Sequence, residues 1–168
     1  MEVKEDFVFP IYIVQPVIDK LMKMCKSSEL EIIGQLIGKV RQYKTQKYIL
    51  ITDYLYIKGA IHSDKYTTSS IEGTLGKYEA KFQNIRKKKN DQMLRRVGWW
   101  HSHPGFGCFL SSTDLETQRS VFPGEHEVAL VIDPVQDYFE FFTLDNQSEK
   151  GYKALSYAII NSIVKEQK

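Results

Sequence analysis

The chain has 168 residues, of which 42% are hydrophobic and 26% charged, and its net charge at pH 7 is +2. This is an ordinary mix for one globular domain, long enough to bury about two-thirds of its unfolded surface. The near-neutral balance gives no footing for a nucleic-acid partner, and no apolar run approaches the ~20 residues that would cross a bilayer.

The two cysteines, Cys25 and Cys108, lie far apart, which implies no disulfide framework and favours a reducing compartment. The opening residues MEVKEDFVF are charged and lead into no long apolar segment, so no secretory signal is expected. The expected setting is the cytosol, with the nucleus open for a eukaryotic source, and no membrane partner.

Phe7 to Val14 is apolar and β-prone and reads as an opening strand. Gln15-Pro16 starts a helix on which Val17, Leu21, Met24 and Cys25 recur at helical spacing, with Cys25 as a small core filler. Ile32 to Val40 is apolar but carries Gly34 and Gly38, which favours a buried strand over a helix. Lys44 to Lys47 reads as a turn and Tyr48 to Ile57 as another strand.

A helix is predicted from about Ile71 to Lys88, with Leu75, Tyr78, Phe82 and Ile85 on one face. Its basic end, Arg86 to Lys89, suits the helix dipole. Leu94 to His103, Glu127 to Asp133 and Tyr138 to Leu144 read as strands. A closing amphipathic helix is predicted over about 151–165, with Leu155, Ala158, Ile159, Ile163 and Val164 on its apolar side. Strands mixed with three or four helices predict an α/β or α+β layered domain.

The densest chemistry lies in GWWHSHPGFGCFLSSTDLETQ, residues 98–118. On a strand, His101 and His103 would face one side, with Ser102 facing the other. Two imidazoles so placed can share a zinc ion, which prefers four ligands in a tetrahedron. Asp114 follows eleven residues after His103 and offers a third donor, leaving one open position. Ser111-x-x-Asp114 also fits a helix-capping box, as does Thr113-x-x-Glu116, and the capping and metal readings of Asp114 are compatible because a capped helix holds it still. Cys108 fits better as packing between Phe106 and Phe109 than as a soft ligand. His62 and His126 are isolated and read as surface or loop residues. Spacing alone reaches a mononuclear zinc hydrolase without choosing its general base among 21 acidic residues.

The segment HSHPGFGCFLSSTD resembles the signature of the JAMM metalloproteases, the catalytic MPN domains: H-x-H-P, a glycine-bearing loop, then S-x-x-D. Together with Gly98-Trp99 and Thr117-Gln118 it is most similar to the subfamily of the proteasome-lid deubiquitinase and the signalosome deneddylase. Glu31-Ile32-Ile33-Gly34-Gln35-Leu36-Ile37-Gly38 resembles the family's upstream E-x-x-G-x-L-x-G, and Ala129 to Pro134 its next strand. The likeness runs from about residue 8 to residue 145, and the closing helix fits it. Trp100 and Phe109 depart from the tyrosine and tryptophan frequent there, each keeping an aromatic ring.

The resemblance implies a single MPN domain over residues 1–168, with a central mixed sheet flanked by helices and a zinc site at a strand end and a helix N-terminus. His101, His103 and Asp114 would ligate one Zn2+ per chain. Glu31 would be the general base and Ser111 the hydroxyl that stabilises an oxyanion. The implied reaction is hydrolysis of the isopeptide bond between ubiquitin, or a ubiquitin-like modifier, and a lysine, linked to proteasomal degradation. The matching insertion, His62 to Gly76, is the candidate region for the modifier's tail.

Implied partners are the modifier and an MPN partner subunit or proteasome-like complex. The chain ends soon after its last strand, as expected of a piece of a longer protein or of a compact version of the domain. Two alternatives stay open: hydrolysis of another modifier or sulfur-carrier precursor, and a non-catalytic MPN scaffold, against which the intact residue set counts.

Overall fold

The computed structural model describes residues 7–61 and 68–161, with side chains described over 7–58 and 76–161. The elements run β1 (Ile11–Val14), α1 (Gln15–Lys26), β2 (Ile32–Tyr43), β3 (Gln46–Ile61), α2 (Thr68–Lys89), β4 (Arg95–Ser102), α3 (Ser112–Val121), β5 (Val128–Asp133), β6 (Tyr138–Leu144), β7 (Tyr152–Leu155) and β8 (Tyr157–Ile160). The tail-binding insertion expected at 62–76 lies outside the described residues over 62–67, and 68–76 are the opening turns of α2. No helix among the described residues is long and apolar enough to cross a membrane.

The strands form one mixed sheet in the order β7-β6-β5-β4-β2-β3-β1-β8. β2 and β4 stand at its centre, antiparallel, with Ile33 opposite His101 and Gly34 opposite Trp100. A Cβ at Gly34 would collide with the Leu55 carbonyl and the Trp100 indole, so the glycine that disfavours a helix here is what lets the central strands pack. β4 and β5 run parallel; the connection a parallel pair requires contains α3. The carboxyl end of β4 therefore faces the start of a helix.

Alternation along β4 sends Trp100 into one core and Trp99 into another. The larger core joins α1, through Val17, Ile18, Leu21 and Cys25, to Ile13, Ile51, Trp100, Leu130 and Phe141. The Trp99 core lies under α3, with Leu110, Phe122, Ala129 and Val131. Tyr78 and Phe82 of α2 cover a third, with Ile85 packed against it, as their spacing predicts. The basic end of α2 is partly engaged: Arg86 donates to the Gln92 carbonyl and Lys89 pairs with Asp53.

The closing helix predicted over 151–165 is not formed in its described part, to residue 161. β7 pairs antiparallel with β6, and β8 pairs parallel with β1. Only Ser156 separates them, so the sheet curls until its two ends are bridged by one extended segment. Leu155, Tyr157 and Ile160 pack on the main core and Tyr152 on the second, while Ile159, assigned to the apolar helix face, is 41% exposed. The outer edges of β6 and β1 each present a row of backbone donors and acceptors. A short helix, marginal by itself, satisfies neither, and this tyrosine- and isoleucine-rich segment suits a strand.

Candidate metal centre

Three side chains meet where β4 ends and α3 begins. The ligating atoms of His101, His103 and Asp114 all lie within 4.8 Å of one another. The two imidazole Nε2 atoms are 3.1 Å apart. Asp114 Oδ1 stands 3.2 Å from Nε2 of His101, and Oδ2 stands 3.4 Å from Nε2 of His103. All three side chains are buried. Four polar atoms converging in an apolar wall is a costly arrangement unless their charge is compensated, and a divalent cation with imidazole and carboxylate donors compensates it.

Local sequence accounts for each placement. His101 lies in β4, and Pro104, Gly105 and Gly107 turn the chain directly after His103. Both glycines adopt φ +80°, a left-handed conformation that costs other residues more. Ser111 is the N-cap of α3: its hydroxyl accepts the Asp114 N–H at 3.2 Å, and its own N–H donates to Asp114 Oδ2 at 2.7 Å. The capping box expected from the sequence is therefore what locks the Asp114 carboxylate in place. It leaves the Ser111 O–H free to serve as a donor.

A second layer orients the imidazoles. Nδ1 of His103 lies 3.1 Å from the Gly107 carbonyl. That acceptor puts the ring proton on Nδ1 and turns the Nε2 lone pair toward Asp114, the arrangement metal-binding histidines use. Trp99 stacks on His101 with ring centroids 4.4 Å apart, and Phe109 lies over His103 at 4.8 Å. Burial disfavours the His103 imidazolium, but the Asp114 carboxylate, assisted by the Gly107 carbonyl and the charge of Glu31, outweighs it and raises its pKa.

Glu31 immediately precedes β2. Ile33 pairs with His101, and the Ile32 N–H donates to the Ser102 hydroxyl at 3.0 Å. Continued two residues beyond the last strand pair, that register would set Glu31 level with His103, and the charge of Glu31 is felt at the His103 ring.

The remaining sequence candidates stand apart. Cys108 is not among the converging donors; its thiol points to the Val131 carbonyl at 3.3 Å, and burial pushes its pKa up to about 11. Cys25 is core, pushed up to about 12 by burial. His126 lies beside Glu125 at 3.9 Å, and His62 falls outside the described residues.

Two residues not singled out from sequence support the site. Asp133 accepts the N–H groups of Gly105 and Gly107, and Gln118 accepts the Trp99 indole N–H. The signals available were the Asp-Pro turn ending β5 and the four-residue spacing of Gln118 from Asp114.

A curled mixed sheet with three buried donors between a strand end and a capped helix defines an α+β domain carrying a candidate mononuclear metal centre. The chain belongs to the family described as JAB1/Mov34/MPN/PAD-1 ubiquitin protease, which it matches over residues 10–122. It is 35% identical over 122 residues to the 26S proteasome regulatory subunit RPN11 of Eremothecium gossypii, covering 69% of this chain and 36% of that one. It is 33% identical over 127 residues to COP9 signalosome complex subunit 5 of Candida albicans, covering 69% of this chain and 19% of that one. The chain thus spans little more than a third of these relatives at most. Protein DSY2949 of Desulfitobacterium hafniense, solved in solution, shares the fold with a TM-score of 0.60 at 14% identity, over 92% of this chain and 95% of that one.

Proposed function

We propose that this chain is a zinc-dependent isopeptidase that hydrolyses the bond between the C-terminus of ubiquitin, or a ubiquitin-like modifier, and a lysine amine. The observation that carries the reading is the convergence of His101, His103 and Asp114, all buried, at the carboxyl end of β4 in a chain of this family. Those residues would hold one zinc ion. Zinc bound there supplies Lewis acidity, which brings the pKa of water toward ~7 and polarises a carbonyl.

The chain's own groups divide the rest of the work. Glu31, level with His103, accepts a proton from the attacking water and returns it to the lysine nitrogen as that nitrogen leaves. The Ser111 hydroxyl, fixed by its cap to Asp114, donates to the carbonyl oxygen as negative charge builds there. Phe109 and Trp99 wall the histidines from solvent, which strengthens these interactions. Neither thiol has a role: both pKa values are raised by burial, and the route needs no covalent intermediate.

The relatives' names place them in the 26S proteasome and the COP9 signalosome. We assign this chain to a complex of that kind, in the cytosol or nucleus, with an MPN partner subunit. The test is cleavage of a ubiquitin–lysine isopeptide conjugate with and without a zinc chelator, with Glu31→Gln as control. Chelator-sensitive cleavage abolished by that substitution is expected. Zinc-loaded protein, with its partner subunit present, that cleaves no modifier conjugate would make the domain a scaffold.

A further inference from the structure

β4 and α3 meet across two rungs. Trp99 and His101 are two apart on the strand and face the same side. Asp114 and Gln118 are four apart on the helix and share a face. The first rung joins His101 Nε2 to Asp114 Oδ1 at 3.2 Å. The second joins the Trp99 indole N–H to Gln118 Oε1 at 2.6 Å. None of the four side chains is more than 1% exposed.

The second rung is rigid for a physical reason. The Gln118 amide nitrogen donates to the Phe122 carbonyl at 2.8 Å and to the Glu127 carbonyl at 2.9 Å. Its oxygen and both its N–H groups are engaged, so the side chain has one orientation available. That amide fixes the indole, and the indole lies parallel to the His101 ring, 10° between planes. The same side chain ties the C-terminal end of α3 to the approach to β5, so α3 cannot slide along the sheet without breaking the Gln118 bonds to Trp99 and to the Glu127 carbonyl.

We infer that the Trp99–Gln118 pair is a positioning device that sets the distance and ring angle of the His101–Asp114 half of the metal centre. Its effect is read as metal affinity. This rests on the reading that the His101, His103 and Asp114 cluster holds zinc. Gln118 and Trp99 touch no reacting atom; they act through the two ligands one rung above them.

The test is zinc affinity of the full chain by competition with a chromophoric chelator, for the native protein, Trp99→Phe, Gln118→Met and the double variant. Trp99→Phe keeps an aromatic ring beside His101 and removes the donor together with part of the ring volume. Gln118→Met keeps the length and removes the acceptor. Each single change is expected to weaken zinc binding by roughly 10–100-fold, as loss of an orienting partner does. The double variant should bind zinc no more weakly than Gln118→Met alone, because that change already breaks the bond that Trp99→Phe breaks. The visible spectrum of the cobalt-loaded protein should shift in both variants, a change that loss of general stability would not produce.

Native affinity in folded variants would overturn the inference alone and leave the metal reading standing. Failure of both variants to fold would make the pair structural and equally overturn it; if one folds, that one decides. No stoichiometric zinc in the native chain would overturn the metal reading itself, and this inference with it.

Discussion

Asp133 accepts the Gly107 N–H at 2.8 Å, and the carbonyl of the same glycine lies 3.1 Å from Nδ1 of His103. A carboxylate at the end of β5 thus steers the His103 imidazole through a single residue. Oδ1 of Asp133 holds the N–H groups of Gly105 and Val135 as well, at 2.9 and 3.0 Å. Asp133→Ala should release the 104–109 loop, weaken zinc binding by roughly 10-fold or more and destabilise the fold by about 1–3 kcal/mol. Chelator competition and urea unfolding measure the two effects separately.

The same carboxylate defines an acid limb of stability. Burial would raise the Asp133 pKa, but the N–H groups of Gly105, Gly107, Gln136 and Val135 outweigh it and hold it below the ordinary range. A depressed folded pKa contributes stability that is present above the unfolded value of about 3.9 and lost as pH falls through the folded value. In metal-free protein, part of the stability loss below about pH 4 should be absent in Asp133→Asn. Urea midpoints from pH 2 to 5 would show it, and parallel curves would refute it.

His103 titrates with the opposite sign. Its folded pKa is raised by Asp114 against the effect of burial, so in metal-free protein its contribution is full below about pH 6.5 and lost as pH rises through the folded value. Zinc requires the neutral imidazole. Affinity should therefore begin to fall at a pH above 6.5 on acidification, and His103→Ala should lose zinc and activity together. Competition titrations from pH 5.5 to 8 measure this.

Glu31→Gln should keep one zinc per chain and lose turnover by about 10²–10⁴-fold, the usual worth of a general base. Metal analysis and isopeptide cleavage on one preparation check both halves. Near-normal turnover would remove Glu31 from the mechanism.

Ser111 carries two roles that substitution can separate. Asparagine caps a helix about as well as serine, so Ser111→Asn should retain the thermal stability of the native chain. It has no hydroxyl, and the rate should fall by about 10²–10³-fold. Ser111→Ala should lose both, with about 1 kcal/mol of stability gone with the cap. If Ser111→Ala were as active as native, the residue would be a cap and nothing more.

Cys108→Ser should leave zinc stoichiometry unchanged, since the thiol is directed at the Val131 carbonyl rather than at the three donors. A stoichiometric loss of zinc would promote Cys108 to a ligand.

Much of this centre is written in short-range sequence. His101 and His103 share a face because strand side chains alternate. Ser111 and Asp114 cap each other because they are three residues apart at a helix start. The glycines after His103 mark the turn that the left-handed backbone requires. The apolar spacings of α1 and α2 give their buried faces because a helix repeats every 3.6 residues. All of these depend on geometry within a few residues, so the sequence by itself determined them.

Tertiary structure decided the rest. Residues 152–160 have a spacing that fits a helix face, but the open edges of β6 and β1 needed backbone partners and took them. Asp133 reaches a loop 26 to 28 residues away, and Gln118 reaches a strand 19 residues away. The local marks they carry, an Asp-Pro turn and a four-residue spacing from Asp114, do not name the partner each one reaches. Their roles exist because β4, α3 and β5 converge at one strand end, where buried donors and acceptors must find each other or remain costly and unpaired.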